Sequence, residues 1–214
     1  MAVTLQGNAG TNVEVETNTR AMRTVIRPND YGSLGIYSKA LTSGVMAAGI
    51  ASAATCWQFR WAQASNLALI KKVRVSAGGI TAFTAGATTF NLFPARAFTV
   101  SGSGGTAGTI TGNNGKMRTS MATTGVSDIR ISSTAILTAG TWTLDTDPIA
   151  GITSSTTATA GVVLVPPTDL FWHANSEYPF LLAQNEGLNL QATVPATGTW
   201  TFSVQVEWEE LASF

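Results

Sequence analysis

From 200 to 208 the chain alternates without a break. Trp200, Phe202, Val204, Val206 and Trp208 are apolar, and Thr201, Ser203, Gln205 and Glu207 are polar. Successive side chains of a strand point to opposite faces, so this segment predicts a strand with one buried face. Just upstream, Leu188, Leu190, Ala192 and Val194 alternate with Asn189, Gln191 and Thr193, and Pro195-Ala196-Thr197-Gly198 supplies a turn. The two runs together predict a C-terminal β-hairpin.

Further strands are expected from Leu34 to Tyr37, Thr55 to Trp61, Leu67 to Val75 (ended by Gly78-Gly79), Thr88 to Phe93 and Arg96 to Val100. Others follow at Ile129 to Ser132, Thr141 to Leu144, Val162 to Val165 and Phe180 to Ala183. The Ala- and Gly-rich stretch from Ala47 to Ala54 reads as a helical turn or a loop, and the Ser/Gly/Thr/Asn-rich segment 101–127 as a long hairpin loop or exposed flap. Many short strands and no helix of ordinary length predict an all-β fold, a β-sandwich that is jelly-roll-like. Residues 1–30 differ. Alternation lasts only from Val13 to Glu16, and Arg20, Arg23 and Arg27 then precede Pro28-Asn29-Asp30. This reads as an extended N-terminal arm, with a single sandwich domain over 31–214. Its three arginines are candidate contacts to a partner or an adjacent subunit, because guanidinium groups pair readily with carboxylates.

Composition sharpens this picture. Only 11% of residues are charged, with 12 basic against 12 acidic. The surface must therefore be largely hydroxyl, small side chain and backbone, a composition that favours self-association or a permanent assembly. Zero net charge gives no bulk field toward nucleic acid or anionic membrane, so neither is expected as a partner. No signal peptide is visible at the start, and Val45 to Ala54 is too short to span a bilayer. The protein is expected to be made in a cytoplasm. Cys56 is the one cysteine, expected as a small buried apolar group.

Residues able to titrate or attack are few. His173 stands with Asp169, Ser176 and Glu177 in one short segment, but triad members meet through a fold rather than by adjacency. One Cys and one His cannot build a tetrahedral metal site. Asp145 and Asp147 suit a turn better than a calcium loop, lacking its glycine and distal Glu. Gly102 to Gly108 lacks the Lys-Ser/Thr and helix of a phosphate-binding loop and reads as a flexible loop. Lys71, Lys72 and Arg74, near Trp57 and Trp61, read as a solvated strand face, with Lys71 on the side opposite the other two. The six tryptophans could form a sugar platform, but Trp200 and Trp208 follow core parity. No catalytic, metal or cofactor residue is assigned, and no enzymatic activity is expected.

Gln58-Phe59-Arg60-Trp61, Leu67 to Gly79 (LALIKKVRVSAGG), Phe90 to Ala97 (FNLFPARA) and the wording from Tyr178 to Trp208 resemble one family. It comprises small structural proteins encoded near the capsid genes of tailed bacteriophages, regarded as capsid decoration or cement proteins. The resemblance covers most of residues 30–210 and brings no catalytic motif. It implies a jelly-roll-like sandwich on the exterior of the virion head, with the major capsid protein and its own copies as partners. It also implies a homotrimer, since decoration proteins often occupy threefold positions. A tail or receptor-binding, carbohydrate-binding virion protein is the alternative, and a cell-wall glycan hydrolase is a third reading that would need two carboxylates across a cleft.

Overall fold

Twelve strands build the described part of the chain, in an order that the C-terminal alternation anticipates only in part. The computed structural model describes residues 34–47, 49–173 and 180–212. The expected arm over 1–30, with Arg20, Arg23 and Arg27, lies outside the described residues. The strands are β1 (Gly35–Thr42), β2 (Ile50–Trp61), β3 (Leu67–Gly79), β4 (Gly86–Val100), β5 (Thr106–Ala107) and β6 (Asp128–Ile131). They continue as β7 (Thr141–Leu144), β8 (Ala150–Thr156), β9 (Val163–Trp172), β10 (Phe180–Leu182), β11 (Glu186–Val194) and β12 (Trp200–Leu211). No helix occurs among the described residues.

Two antiparallel sheets face each other as a β-sandwich. The five-strand sheet runs β1-β12-β3, with β9 and β10 end to end along the far side of β3. The seven-strand sheet runs β5-β6-β2-β11-β4, with β7 and β8 end to end along the far side of β4. From β1 to β4 each connection crosses from one sheet to the other, as do those from β8 to β9 and from β10 through β12. The expected C-terminal hairpin does not form. β11 pairs with β2 and β4, whereas β12 pairs with β1 and β3 in the opposite sheet. The Pro195–Gly198 segment bridges the sandwich instead of closing a hairpin. Both apolar rows still point inward, because they line the two walls of one interior.

That interior is rich in aromatic rings. Trp57, Phe59, Trp61, Phe90, Trp200, Phe202 and Trp208 are all buried within it. Trp208 stacks on Tyr37 of its own sheet, with ring centroids 5.4 Å apart, and meets Phe59 of the other sheet edge-on at 5.3 Å. Trp200 does the same with Phe202 at 5.0 Å and Phe90 at 5.8 Å. Such stacked and edge-on pairs add to the area burial that holds the sheets together.

Other boundaries shift. Ile50 to Ala54 belong to β2 and are not a helical turn, and the runs 88–93 and 96–100 form one strand, β4, bent where Ala97 adopts φ 47°. β9 continues past the expected end at Val165 as far as Trp172. β8, with the sequence AGITSST, is not foreseen because one isoleucine among small residues gives almost no alternation.

Candidate interaction surfaces

With alternate residues of β3 and β12 buried, the others make the outer face of the five-strand sheet, which divides into a charged and an uncharged half. In the charged half Lys72 Nζ lies 3.0 Å from Glu207, and Arg74 donates to both oxygens of Asp169 at 2.6 and 3.2 Å. Hydrogen bonding to Arg74 holds the Asp169 carboxyl below the usual carboxylate range, and the same bond raises the Arg74 guanidinium. Lys71 is expected on the opposite face but reaches Glu209, at 3.6 Å, on the same side as Glu207. A bulge is responsible. The register steps from Glu207↔Lys72 to Trp208↔Ile70, leaving Lys71 as the extra residue and turning it outward. Trp57 and Trp61 are fully buried in the interior, so they give these cations no stacking platform. The uncharged half is a patch of short hydroxyls. Thr42 and Ser203 share a hydrogen bond of 2.8 Å, and Ser76, Gly78, Val163, Thr201 and Ser203 line a shallow hollow of about 200 Å³.

Around Gln58, Asn189 and Arg96 the outer face of the seven-strand sheet is covered by the chain itself. After the kink at Ala97, the backbone N–H of Phe98 donates to Asn185 O, and its ring packs edge-on against Trp142 at 5.2 Å. The glycine-rich segment, expected to be a flexible loop, is tied down at several points. Gly102 N–H donates to Gln58 Oε1 at 3.0 Å, Ser103 bridges Thr138, and Arg130 donates to Gly104 O at 3.0 Å. Beneath it Gln58 and Asn189 are completely buried although they point away from the main interior. Gln58 donates to Asp128 at 3.2 Å, and the Asn189 amide is oriented so that its oxygen accepts from Trp142 Nε1 at 2.9 Å. Arg96 sits between Asp145 and Glu186, at 3.2 and 2.6 Å. Asp145 is thus an arginine partner, while Asp147 is exposed and does not join it. Among the described residues no group of three His, Cys, Asp or Glu side chains converges.

Within the rest of the expected flap, 108–127, residues 115–117 run along the outer edge of β1. Ser38 N–H donates to Gly115 O at 2.8 Å and Met117 N–H to Ile36 O at 3.2 Å. Glu210 clamps its end, accepting from Thr124 Oγ1, from Gly125 N–H at 2.9 Å and from Trp208 Nε1 at 3.2 Å. Tyr37 donates to Ala122 O at 3.0 Å, and burial, with the nearby Glu210 charge adding to it, pushes its hydroxyl up to about 12. His173 is buried at the end of β9, and its backbone N–H donates to Lys71 O. Cys56 is buried as expected, and desolvation drives its thiol pKa upward.

Two surface features go unmarked by the alternation of the sequence. Trp172, on edge strand β9, is 67% exposed, and Val163 at the other end of that strand is 71% exposed. A signal is present in Leu170-Phe171-Trp172, because a strand cannot direct three consecutive large apolar side chains inward. Met46, Ala47, Ile50, Ala135 and Ile136 also surround an apolar hollow of about 270 Å³. Four of the six tryptophans are buried in the interior, and Trp142 lies half-buried on the outer face. Compared with protein-family models, with curated proteins and with solved structures, this chain finds no match.

Proposed function

We propose that this protein is a virion structural protein that decorates the outside of a tailed-phage head and stabilises it by bridging capsomers. The observation that carries the reading is the state of its charges. Among the described residues, the carboxylates of Asp128, Asp145, Asp169, Glu186, Glu207, Glu209 and Glu210 are bound to the chain's own cations or N–H and O–H donors, and Asp147 is exposed. What remains outside is mostly hydroxyl, amide and apolar surface, with Trp172 and Met117 exposed on it, suited to broad contact rather than to proton transfer. The strand order supports a jelly roll, since β1-β12-β3-β9 opposes β2-β11-β4-β8 as in a double-sheet jelly roll, an architecture common in capsid proteins and lectins. The sequence resemblance names the partner, the major capsid protein, and the homotrimeric state. In this reading Arg20, Arg23 and Arg27 of the N-terminal segment contact the shell or an adjacent subunit.

Counting copies of this chain on purified virions tests the proposal. Hundreds of copies on the head are expected, and a handful at the tail would overturn it. Deleting residues 1–28 tests the arm. The truncated protein is expected to fold and yet fail to rebind stripped virions, and undiminished binding would remove the arginines from the contact. A second reading, a carbohydrate-binding tail or receptor-binding protein, is favoured by exposed Trp172, whose indole offers a stacking surface for a sugar ring. A glycan that binds the native protein and is lost in Trp172→Ala would select it.

A further inference from the structure

Among the described residues six strands lie at sheet edges, and five of them are guarded. Segment 115–117 bonds to β1. β9 carries Pro166 and Pro167 and breaks register with β3 three times. β10 has three residues, β7 four and β5 two. Prolines, irregular register, short strands and covering loops are the usual means of preventing a sheet from adding foreign strands. Among the described residues β8 has none of them. Its seven residues, AGITSST, pair with β4 in unbroken register from Gly86↔Thr156 to Leu92↔Ala150, contain no proline and no charge, and have no other strand partner among the described residues. Ile152 is half-buried along it, and the adjoining Ile149 is 38% exposed.

We infer that β8 is a self-association edge, at which two copies of this chain join their seven-strand sheets by antiparallel β8–β8 pairing about a twofold axis. A twofold contact sets the same segment against itself, so any charge in it would meet its own image. An uncharged strand tolerates this, and its backbone N–H and C=O groups supply the ladder. An axis at the central residue gives the longest overlap, with Thr153 opposite its own copy and Gly151 opposite Ser155. The inward row of Ala150, Ile152 and Ser154 is then covered by the same row of the partner copy. Such a ladder is smaller than the roughly 1,200 Å² of a stable complex, so the contact is reversible and joins copies pairwise whatever other assembly they form.

A covalent trap tests this. Cys56 is fully buried and is the one native cysteine, so a cysteine introduced at exposed Thr153 is the accessible thiol. Under mild oxidation Thr153→Cys is expected to give disulfide dimers as the main species on a non-reducing gel, and Ala40→Cys, exposed on the other sheet, only traces. Equal yields from the two would overturn the inference. Thr153→Lys sets two ammonium groups against each other. It is expected to abolish the pairwise joining of copies, read in sedimentation velocity as loss of the doubled species, while leaving any homotrimer and the thermal unfolding midpoint unchanged. Pairwise joining that survives in Thr153→Lys would also overturn the inference. So would a Thr153→Lys protein that loses only virion binding, since β8 would then pair with a different chain.

Discussion

On the seven-strand sheet Gln58 and Asn189 point outward and yet are completely buried, whereas on the five-strand sheet the outward Ser76, Thr201 and Ser203 remain half-exposed. Both faces follow the same strand alternation. They differ because β4 kinks at Ala97 and returns the chain across its own sheet, where Phe98 and Trp142 add a small second core and each buried amide receives a partner. Burying an amide without a hydrogen bond is costly, so this covering works only because the strap supplies donors and acceptors. The five-strand sheet has no such strap among the described residues, and its outward charges are instead matched across neighbouring strands. Among the described residues the covered region is thus part of the fold, and the hydroxyl half of the five-strand face is left open.

The largest effect should come from the interior both sheets share. Trp200→Ala is expected to cost about 3–5 kcal/mol, the range for emptying a core aromatic site, read from the denaturant midpoint at constant slope. A cost under about 1 kcal/mol would mean that the sheets do not depend on this ring.

Next comes the contrast between the faces. Phe98→Ala should cost about 3 kcal/mol because it empties the second core, whereas Ser203→Ala on the bare face should stay within about 0.5 kcal/mol. Equal values would erase the distinction between covered and bare faces.

A smaller effect appears in alkali. The fold favours the neutral Tyr37 hydroxyl, its pKa rising from 10.0 to about 12. A raised folded-state value means that the stabilisation is complete below pH 10.0 and is lost as pH climbs from there toward about 12. Tyr37→Phe should flatten that decline in a plot of denaturant midpoint against pH, and an unchanged slope would place the alkaline sensitivity elsewhere.

The smallest change is expected at the ion pairs of the bare face. Arg74→Ala should lower the denaturant midpoint only slightly, and less at high salt, since Arg74 and Asp169 are both well exposed. The depressed Asp169 carboxyl works in the same direction: its small contribution is present above the ordinary carboxylate range and fades as pH falls through it. A loss as large as that of Phe98→Ala and unchanged by salt would show that this face is not simply solvated.

Local alternation determined which side of the strongly patterned strands is buried, because a strand's side chains switch faces with every residue whatever lies beyond it. The inward rows of Trp200 through Trp208 and of Leu188 through Val194 followed from that alone. Alternation could not determine neighbours. β11 and β12 read as a hairpin because a short Pro/Gly segment joins them, yet pairing partners are settled by the whole sheet, and each strand pairs with others far away in the chain. Lys71 turned outward because a bulge shifts the register between β3 and β12, and a mismatch between two segments is written in neither one alone. The segment 101–127 looked loose because its anchors are Gln58, Ile36, Ser38 and Glu210, all remote in sequence. Periodicity is a property of the local backbone, whereas covering, pairing and clamping depend on which distant groups the folded chain brings within hydrogen-bond reach, and only the tertiary structure decided those.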